Sequence, residues 1–322
     1  MKKVIFFFFI VFTSAYSQVS GCTDPLSKNY NPKATQNDGS CLYKNIKVKP
    51  EYSIKLSDSV KETSGLIAFD NLLWTHNDDH DKTIYGLDSI GKIKRKIILE
   101  HAVNNDWEEI SQDSTHIYIG DFGNNAKGNR TDLKILKINK TAFLNENPGV
   151  ETISFKYSDQ NDFSAKKPNT TNFDCEAFIV SKDSIYLFTK QWKSSQTNIY
   201  VLPNRTGNNI AQFKSTINTK GLVTGAVFLE NKKTIVLCGY SKTGKSFLYL
   251  LYDFKNGDFL SGNKRRISLK LPFHQIEGIA TKDGLHYFIT NESFIRKPIL
   301  NNPQQMHYLN LSSVLSQYFN QP

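Results

Sequence analysis

An all-β fold is what this sequence predicts, and three observations predict it. The 322-residue chain is rich in Tyr and Phe (15 and 22) and poor in Met and Trp (2 and 3), a balance that suits strands better than helices. Short apolar runs bounded by Gly, Asn, Asp and Lys dominate, and no long stretch places apolar residues at i, i+3, i+4 and i+7. Five segments repeat one plan at an irregular spacing of about 45 to 70 residues, as expected of a propeller with four-stranded blades.

The five units open with ETSGLIAFDNLLWTHND at 62, WEEISQDSTHIYIGDFG at 107, DCEAFIVSKDSIYLFTK at 174, LVTGAVFLENKKTIVLCGY at 222 and QIEGIATKDGLHYFITNE at 275. Each has a polar or acidic start, a short apolar strand, a tight turn carrying Asp, Asn or Lys, a second strand and a polar tail. Further strands follow, such as LKILKI at 133, NIYVL at 198 and FLYLLYDF at 247. The last unit shows only three clear strands. YSIKL at 52–56 is the candidate for its missing outer strand, which would join the two ends of the ring and protect its edges. Five blades over 50–318 is the expectation. Six is the alternative, since the second unit is long enough to hold another.

Residues 1–17 read as an export signal. Lys2 and Lys3 precede an apolar run from Val4 to Phe12, and Ala15-Tyr16-Ser17 supplies a small-x-small cleavage site. A periplasmic, cell-surface or secreted location follows as an expectation. VSGC, ending at Cys22, resembles a bacterial lipobox and raises a lipid anchor as an alternative. No later segment is long and apolar enough to be transmembrane. The formal charge is +10, but the Lys and Arg are scattered, and KIKRK at 92–96 and KRR at 264–266 read as solvated hairpin flanks. Aromatics alternating with Lys are the two faces of a sheet, so nucleic acid is not an expected partner. The chain is expected to be a monomer.

Segment 18–45 reads as a small module. Its stretch GCTDPLSKNYNPKATQNDGSC, residues 21–41, resembles a short Cys-bounded repeat of exported bacterial proteins, GCTDPxxxNYNPxAxxxDGSC. The resemblance implies a Cys22–Cys41 disulfide, which an oxidising compartment permits and which would restrict the unfolded chain by about 3 kcal/mol in the entropy model. Asp24, Asn29, Asn31 and Asp38 offer oxygen ligands for Ca²⁺; the other reading makes them Asx-turn residues that hold the loop. Cys175 and Cys238 are open to being buried thiols or a second disulfide, and no zinc spacing occurs.

In a propeller the inner strand of each blade starts on the face where the second strand ends. The acids that open each unit and the polar tails should therefore converge. Candidate ligand-binding residues are Glu62, His76, Asp78, Asp106, Trp107, Asp121, Asn124, Arg130, Lys190, Tyr240 and Glu292, and candidate metal ligands are Glu62, Glu109, Asp174, Glu176 and Glu277. Asn77, Glu108 and Asn291 belong to the same face, and Trp192 joins Trp107 as a contact residue. Carboxylates this close repel, so some must be neutral, paired with Lys190 or Arg130, or bound to a hard cation such as Ca²⁺. For each residue singly, tying blades together through backbone hydrogen bonds is the competing explanation.

ETSGL, DWEEI, GDFGNN, DCEAF and QIEGIA resemble exported bacterial propellers related to the phytase-like and esterase-like families, over about residues 50 to 315. The resemblance implies a propeller outside the cytoplasm, Ca²⁺ near its channel and hydrolysis of a phosphoric or carboxylic ester. Thr224 departs from the pattern, standing where other units have a carboxylate. A full phytase calcium set does not align, so phytate hydrolysis is not carried over. Two functions follow as expectations. One is a propeller that binds a small molecule, glycan or protein. The other is a Ca²⁺-dependent hydrolase with Glu109, Glu176 or Glu277 as base. GYSKTGKS at 239–246 matches the GxxxxGK[ST] phosphate loop, yet a strand follows it where that chemistry needs a helix.

Overall fold

A computed structural model describes residues 18–319; the expected export signal at 1–17 lies outside the described residues. Five antiparallel blades follow one another along the chain. The first holds Thr63–Phe69, Leu72–Asn77, Thr83–Leu87 and Ile93–Ile98, and the second Trp107–Gln112, His116–Asp121, Lys134–Asn139 and Val150–Tyr157. The third holds Cys175–Ser181, Ser184–Thr189, Thr197–Pro203 and Gly207–Ile217, and the fourth Leu222–Leu229, Thr234–Tyr240, Lys245–Tyr252 and Asn263–Pro272. The fifth takes Ile276–Thr281, His286–Asn291 and Gln305–Asn310, with Tyr52–Lys55 paired antiparallel as its outer strand. The inner strands touch in ring order, the fifth against the first, so the fold is a closed five-bladed β-propeller. The extra length of the second unit is loop rather than a sixth blade.

Local chemistry sets the hairpins. Asp113 Oδ1 accepts from the backbone N–H of Thr115 and His116, at 2.7 Å each, and turns the chain between the first two strands of the second blade. Asp283 does the same for Leu285 and His286 in the fifth. In the first blade Asp70 and Asn71 both adopt positive φ, the two-residue hairpin geometry that Asn and Asp tolerate.

Each blade is buried on two faces, so its middle strands are continuous apolar runs. Successive side chains enter alternate seams: Ile117 and Ile119 pack with Trp74 and Phe143 toward the first blade, while Tyr118 packs with Phe178 and Tyr200 toward the third. Five such clusters, one per seam, surround the axis. Each fully buried aliphatic side chain contributes about 1.5–3 kcal/mol. The apolar core is therefore a ring of seams, and the centre is left to polar groups.

Closure uses both ends of the described chain. Buried His307 bridges Ser53 Oγ (2.7 Å) and Asn291 Oδ1 (2.8 Å), and burial lowers its pKa to about 3, leaving the ring neutral. Lys47–Val48 pairs in parallel with the outer strand of the fourth blade. The outer strands of the second and third blades also pair in parallel, Ile153 opposite Gly207, which fuses the two blades into one eight-stranded sheet.

Cys22 and Cys41 are disulfide-bonded. Oxygens of the module hold its loop: Asn31 Oδ1 accepts from Lys33 N and Asp38 Oδ1 from Ser40 N in Asx turns, and Asn29 Oδ1 accepts from Leu42 N across the loop. Asp24 uses Oδ1 for Leu26 N and Oδ2 for the hydroxyls of Tyr43 (2.8 Å) and Tyr252 (2.7 Å), docking the module on the fourth blade. Cys175 and Cys238 are buried free thiols.

Candidate functional site

One irregularity recurs in all five inner strands. Trp107 faces Asp121 and Glu109 faces Gly120, which leaves Glu108 unmatched. The same slip leaves out Glu176 between Cys175 and Ala177, Thr224 between Val223 and Gly225, and Glu277 between Ile276 and Gly278. In the first blade the register breaks just after Ser64. A bulge bends its strand and re-aims the extra side chain. Here it turns Glu108, Glu176 and Glu277 into one polar cavity of about 150 Å³, together with Ser64, Asp78, Lys190 and Glu292. Thr224, the departure in the repeat, donates its hydroxyl to the Ile276 carbonyl and ties the fourth blade to the fifth.

The residue after each bulge sits at the narrowest part of the axis. It is Gly65, Ala177, Gly225 and Gly278 in four blades and Glu109 in the second. A Cβ on Gly65 would lie 2.7 Å from Glu109 Oε1, and one on Gly225 3.4 Å from Glu109 Oε2. Glu109 fills the space those missing side chains leave. Its Oε1 accepts from Ile110 N (3.0 Å) and its Oε2 from Ala226 N (2.6 Å), so it ties the second blade to the fourth beneath the cavity. Fully buried, and with both oxygens engaged by backbone, Glu109 is a structural plug and stands apart from Glu176 and Glu277.

Lys190 is the cavity's internal cation. Its Nζ lies 2.9 Å from Glu176 Oε2 and over the rings of Trp192 and Tyr240. Burial would lower its pKa, but the surrounding carboxylates, Glu176 first, outweigh burial and hold it well above the usual range. It is a fixed ammonium and not a nucleophilic amine. Burial pushes the Glu108, Glu176 and Glu277 carboxyls well above their usual range, with Lys190 opposing. Glu176 Oε1 is buried and has no hydrogen-bond partner.

Two groups of carboxylates lie close enough to share a cation. Glu108, Asp174 and Glu176 form a buried group that could hold a metal ion, with ligand oxygens within 4.8 Å of one another. Asp174 is already engaged there, accepting from Asn124 N (2.8 Å) and Trp192 Nε1 (2.6 Å). Glu62, Asp78 and Glu292 form the second group, half-buried at the mouth. Burial, then Glu292, Glu62 and Asp106, raises Asp78 to about 8. Burial also raises Glu292 to about 7, Lys190 opposing it and Glu62 adding to it, while Gln275 donates to its carboxylate. Asp106, beside Glu108 across Gly123, is raised to about 6 by burial and Asp174, against Arg130.

No protein-family model matches the chain, and no curated protein matches it. Solved structures share its outline at low identity. A streptogramin B lyase structure is 10% identical over 80% of this chain and 97% of that one, with a TM-score of 0.38. A chain of a mitotic checkpoint complex is 8% identical over 81% and 95%, with a TM-score of 0.39. The computationally designed Ika4 protein is 14% identical over 62% and 96%, with a TM-score of 0.31. The fold assignment rests on the strand pairing and ring closure described above.

The remaining expected residues divide by role. Lys190, Tyr240, Asp78 and Glu292 line the cavity, as does Trp192. Trp107 is fully buried in the seam between the first and second blades, its Nε1 donating to the Val103 carbonyl, so it is core and not a contact residue. His76 is buried edge-on to Trp107, and burial lowers its pKa to about 4. Asp121, Arg130 and Asn124 brace the GDFGNN loop: Asp121 meets Arg130 at 2.8 Å and Lys134 at 3.0 Å, and Asn124 Oδ1 accepts from Arg130 N. Sequence reading missed Ser64, Asn125, Asn169 and Gln275 in the cavity wall. Ser64 had a signal, since it holds the repeat position of the bulged acids, and Asn125 ends the GDFGNN motif; Asn169 sits in a long loop outside any repeat.

Proposed function

We propose that this is an exported binding protein whose acidic mouth takes up a divalent cation of the calcium class and, with it, a ligand. The observation that carries the reading is the grouping of Glu62, Asp78 and Glu292, with ligand oxygens within 4.8 Å of one another; burial first, then Glu292, Glu62, Asp106 and Asp79, push Asp78 upward, to about 8. Such a cluster is stabilised by a cation or by protons, and hard carboxylate oxygens suit calcium. The buried, unpartnered Glu176 Oε1 points to the same need deeper in the cavity. The mouth group is the better cation site, because Lys190 already neutralises Glu176 in the inner one. Export rests on the leader sequence and on the disulfide, a bond that persists in oxidising compartments.

Calorimetric titration of the chain with calcium near neutral pH tests this. Binding is expected with release of protons, because Asp78 and Glu292 must ionise to coordinate. Asp78→Asn with Glu292→Gln should abolish it. No heat and no thermal stabilisation at millimolar calcium would overturn the proposal. A second reading has one observation in its favour: carboxyls near 8 and 7 are poised for proton transfer near neutral pH. The resemblance to phytase-like and esterase-like propellers fits that hydrolytic reading. Chelator-sensitive turnover on a panel of phosphate and carboxylic esters would select it.

A further inference from the structure

The acidic cavity adjoins a larger one. A vestibule of about 540 Å³ shares Asn169, Trp192, Tyr240 and Gln275 with it, so the two lie side by side. The vestibule is built of different chemistry. Its wall includes Trp192, Phe273 and Phe294, its rim carries Lys242 and Arg296, and the hydroxyls of Ser241 and Thr243 stand between. The GYSKTGKS loop, which is no phosphate loop, supplies part of this wall.

Phe273 is the telling residue. It has φ +60°, a conformation that a bulky side chain rarely adopts, and it is 49% exposed. Its backbone is held there by donation to the Gly244 carbonyl at 2.7 Å, and Gly244 has no side chain because a Cβ would meet the Phe273 ring at 2.5 Å. The loop thus gives up space to hold an aromatic ring in solvent beside the cleft. Trp192 is fixed as firmly, by its 2.6 Å bond to Asp174 and by Lys190 at 4.7 Å from its ring centre. Lys242 is anchored by donating to the Lys193 carbonyl at 3.0 Å.

We propose that the vestibule binds an anionic saccharide, its ring against Trp192 and Phe273 and its acidic group toward Lys242 and Arg296. Fixed aromatic faces suit the apolar face of a sugar ring, and the amides of Asn169 and Gln275 suit its hydroxyls. The two rim cations select for negative charge where the acidic cavity alone would repel it. The inference deepens the binding reading and rests on it only in part: a cation at the mouth adds a second point for the anion, while the vestibule stands on its own residues.

The test is titration of the full chain with three probes, a hexuronic-acid disaccharide, a hexose phosphate and a neutral disaccharide, each with and without calcium. An acidic probe is expected to bind at least about tenfold more tightly than the neutral one. The two acidic probes separate carboxylate from phosphate as the source of charge. Arg296→Ala and Phe273→Asn should each weaken binding by roughly tenfold, while calcium uptake persists. Asn suits the left-handed backbone at 273, so that variant removes the ring without a folding cost. Calcium uptake with no saccharide bound, or equal affinity for the neutral probe, overturns this inference and leaves the cation site standing. Saccharide binding without calcium uptake overturns the cation site and leaves the vestibule.

Discussion

Two sets of buried carboxylates lie along one axis and meet opposite fates. Glu109, at the narrow part, has both oxygens on backbone N–H groups of two blades. Glu108, Glu176 and Glu277, each one bulge away from that layer, share the ammonium of Lys190, and Asp78 at the mouth is raised by burial and by the carboxylates around it. The lower layer uses its carboxyl as a cross-tie between blades, although burial pushes that carboxyl well above its usual range as it does the acids of the cavity. The upper one leaves charge unbalanced where a cavity opens. The difference teaches that a buried acid marks a candidate site where several carboxyls face one cavity, rather than where a single carboxyl has both oxygens on backbone donors.

The sharpest way to break that contrast is to remove the one cation of the upper set. Lys190→Met leaves Glu176 without its partner and should cost about 4 kcal/mol in urea unfolding, with part of the loss recovered by calcium. A cost below about 1 kcal/mol would show that the cavity acids do not depend on Lys190. Next is the plug. Glu109→Ala strands the Ile110 and Ala226 N–H groups and opens a void against Gly65 and Gly225, a loss of about 3 kcal/mol that calcium should leave unchanged. If calcium rescued it, the two layers would not be distinct.

The pH dependence sharpens the comparison from the other side. Asp78 and Glu292 have folded pKa values of about 8 and about 7, above their ordinary 3.8 and 4.5. For acids shifted upward, the folded state holds more protons than the unfolded state between the two values. Their contribution is therefore flat below about pH 4 and destabilises the metal-free chain progressively as pH rises toward about 8. Melting temperatures at pH 5 and pH 8 should show this fall, reduced in the Asp78→Asn, Glu292→Gln double variant and by added calcium. The smallest effect is expected at Asp24, a carboxylate supplied with donors at the periphery. Asp24→Ala should cost about 1 kcal/mol through the lost bonds to Tyr43 and Tyr252, with calcium binding unaffected.

The ring itself was legible. Five repeats, strand-forming composition and the spare strand at 52–56 all follow from periodicity, because apolar runs and turn residues report directly on burial and chain reversal. The site was legible only as a neighbourhood. Glu108 and Glu109 are adjacent, and simple alternation would send them to opposite sides; the bulge that decides which enters the cavity is set by packing between blades, which no local pattern records. Trp107 and Trp192 show the same limit, one entering a seam and one the cleft. Phe273 lies outside every repeat and carried no sequence signal of its exposed pose.

The pairing of Tyr52 with Tyr308 has a consequence for how the chain is made. One partner emerges in synthesis long before the other, so the outer strand of the fifth blade is a segment released ahead of the blade it completes. Until that pairing forms, the fifth blade lacks its outer strand and the ring lacks its latch. Latching the ring thus means closing a loop that spans nearly the whole propeller, and long loops close slowly.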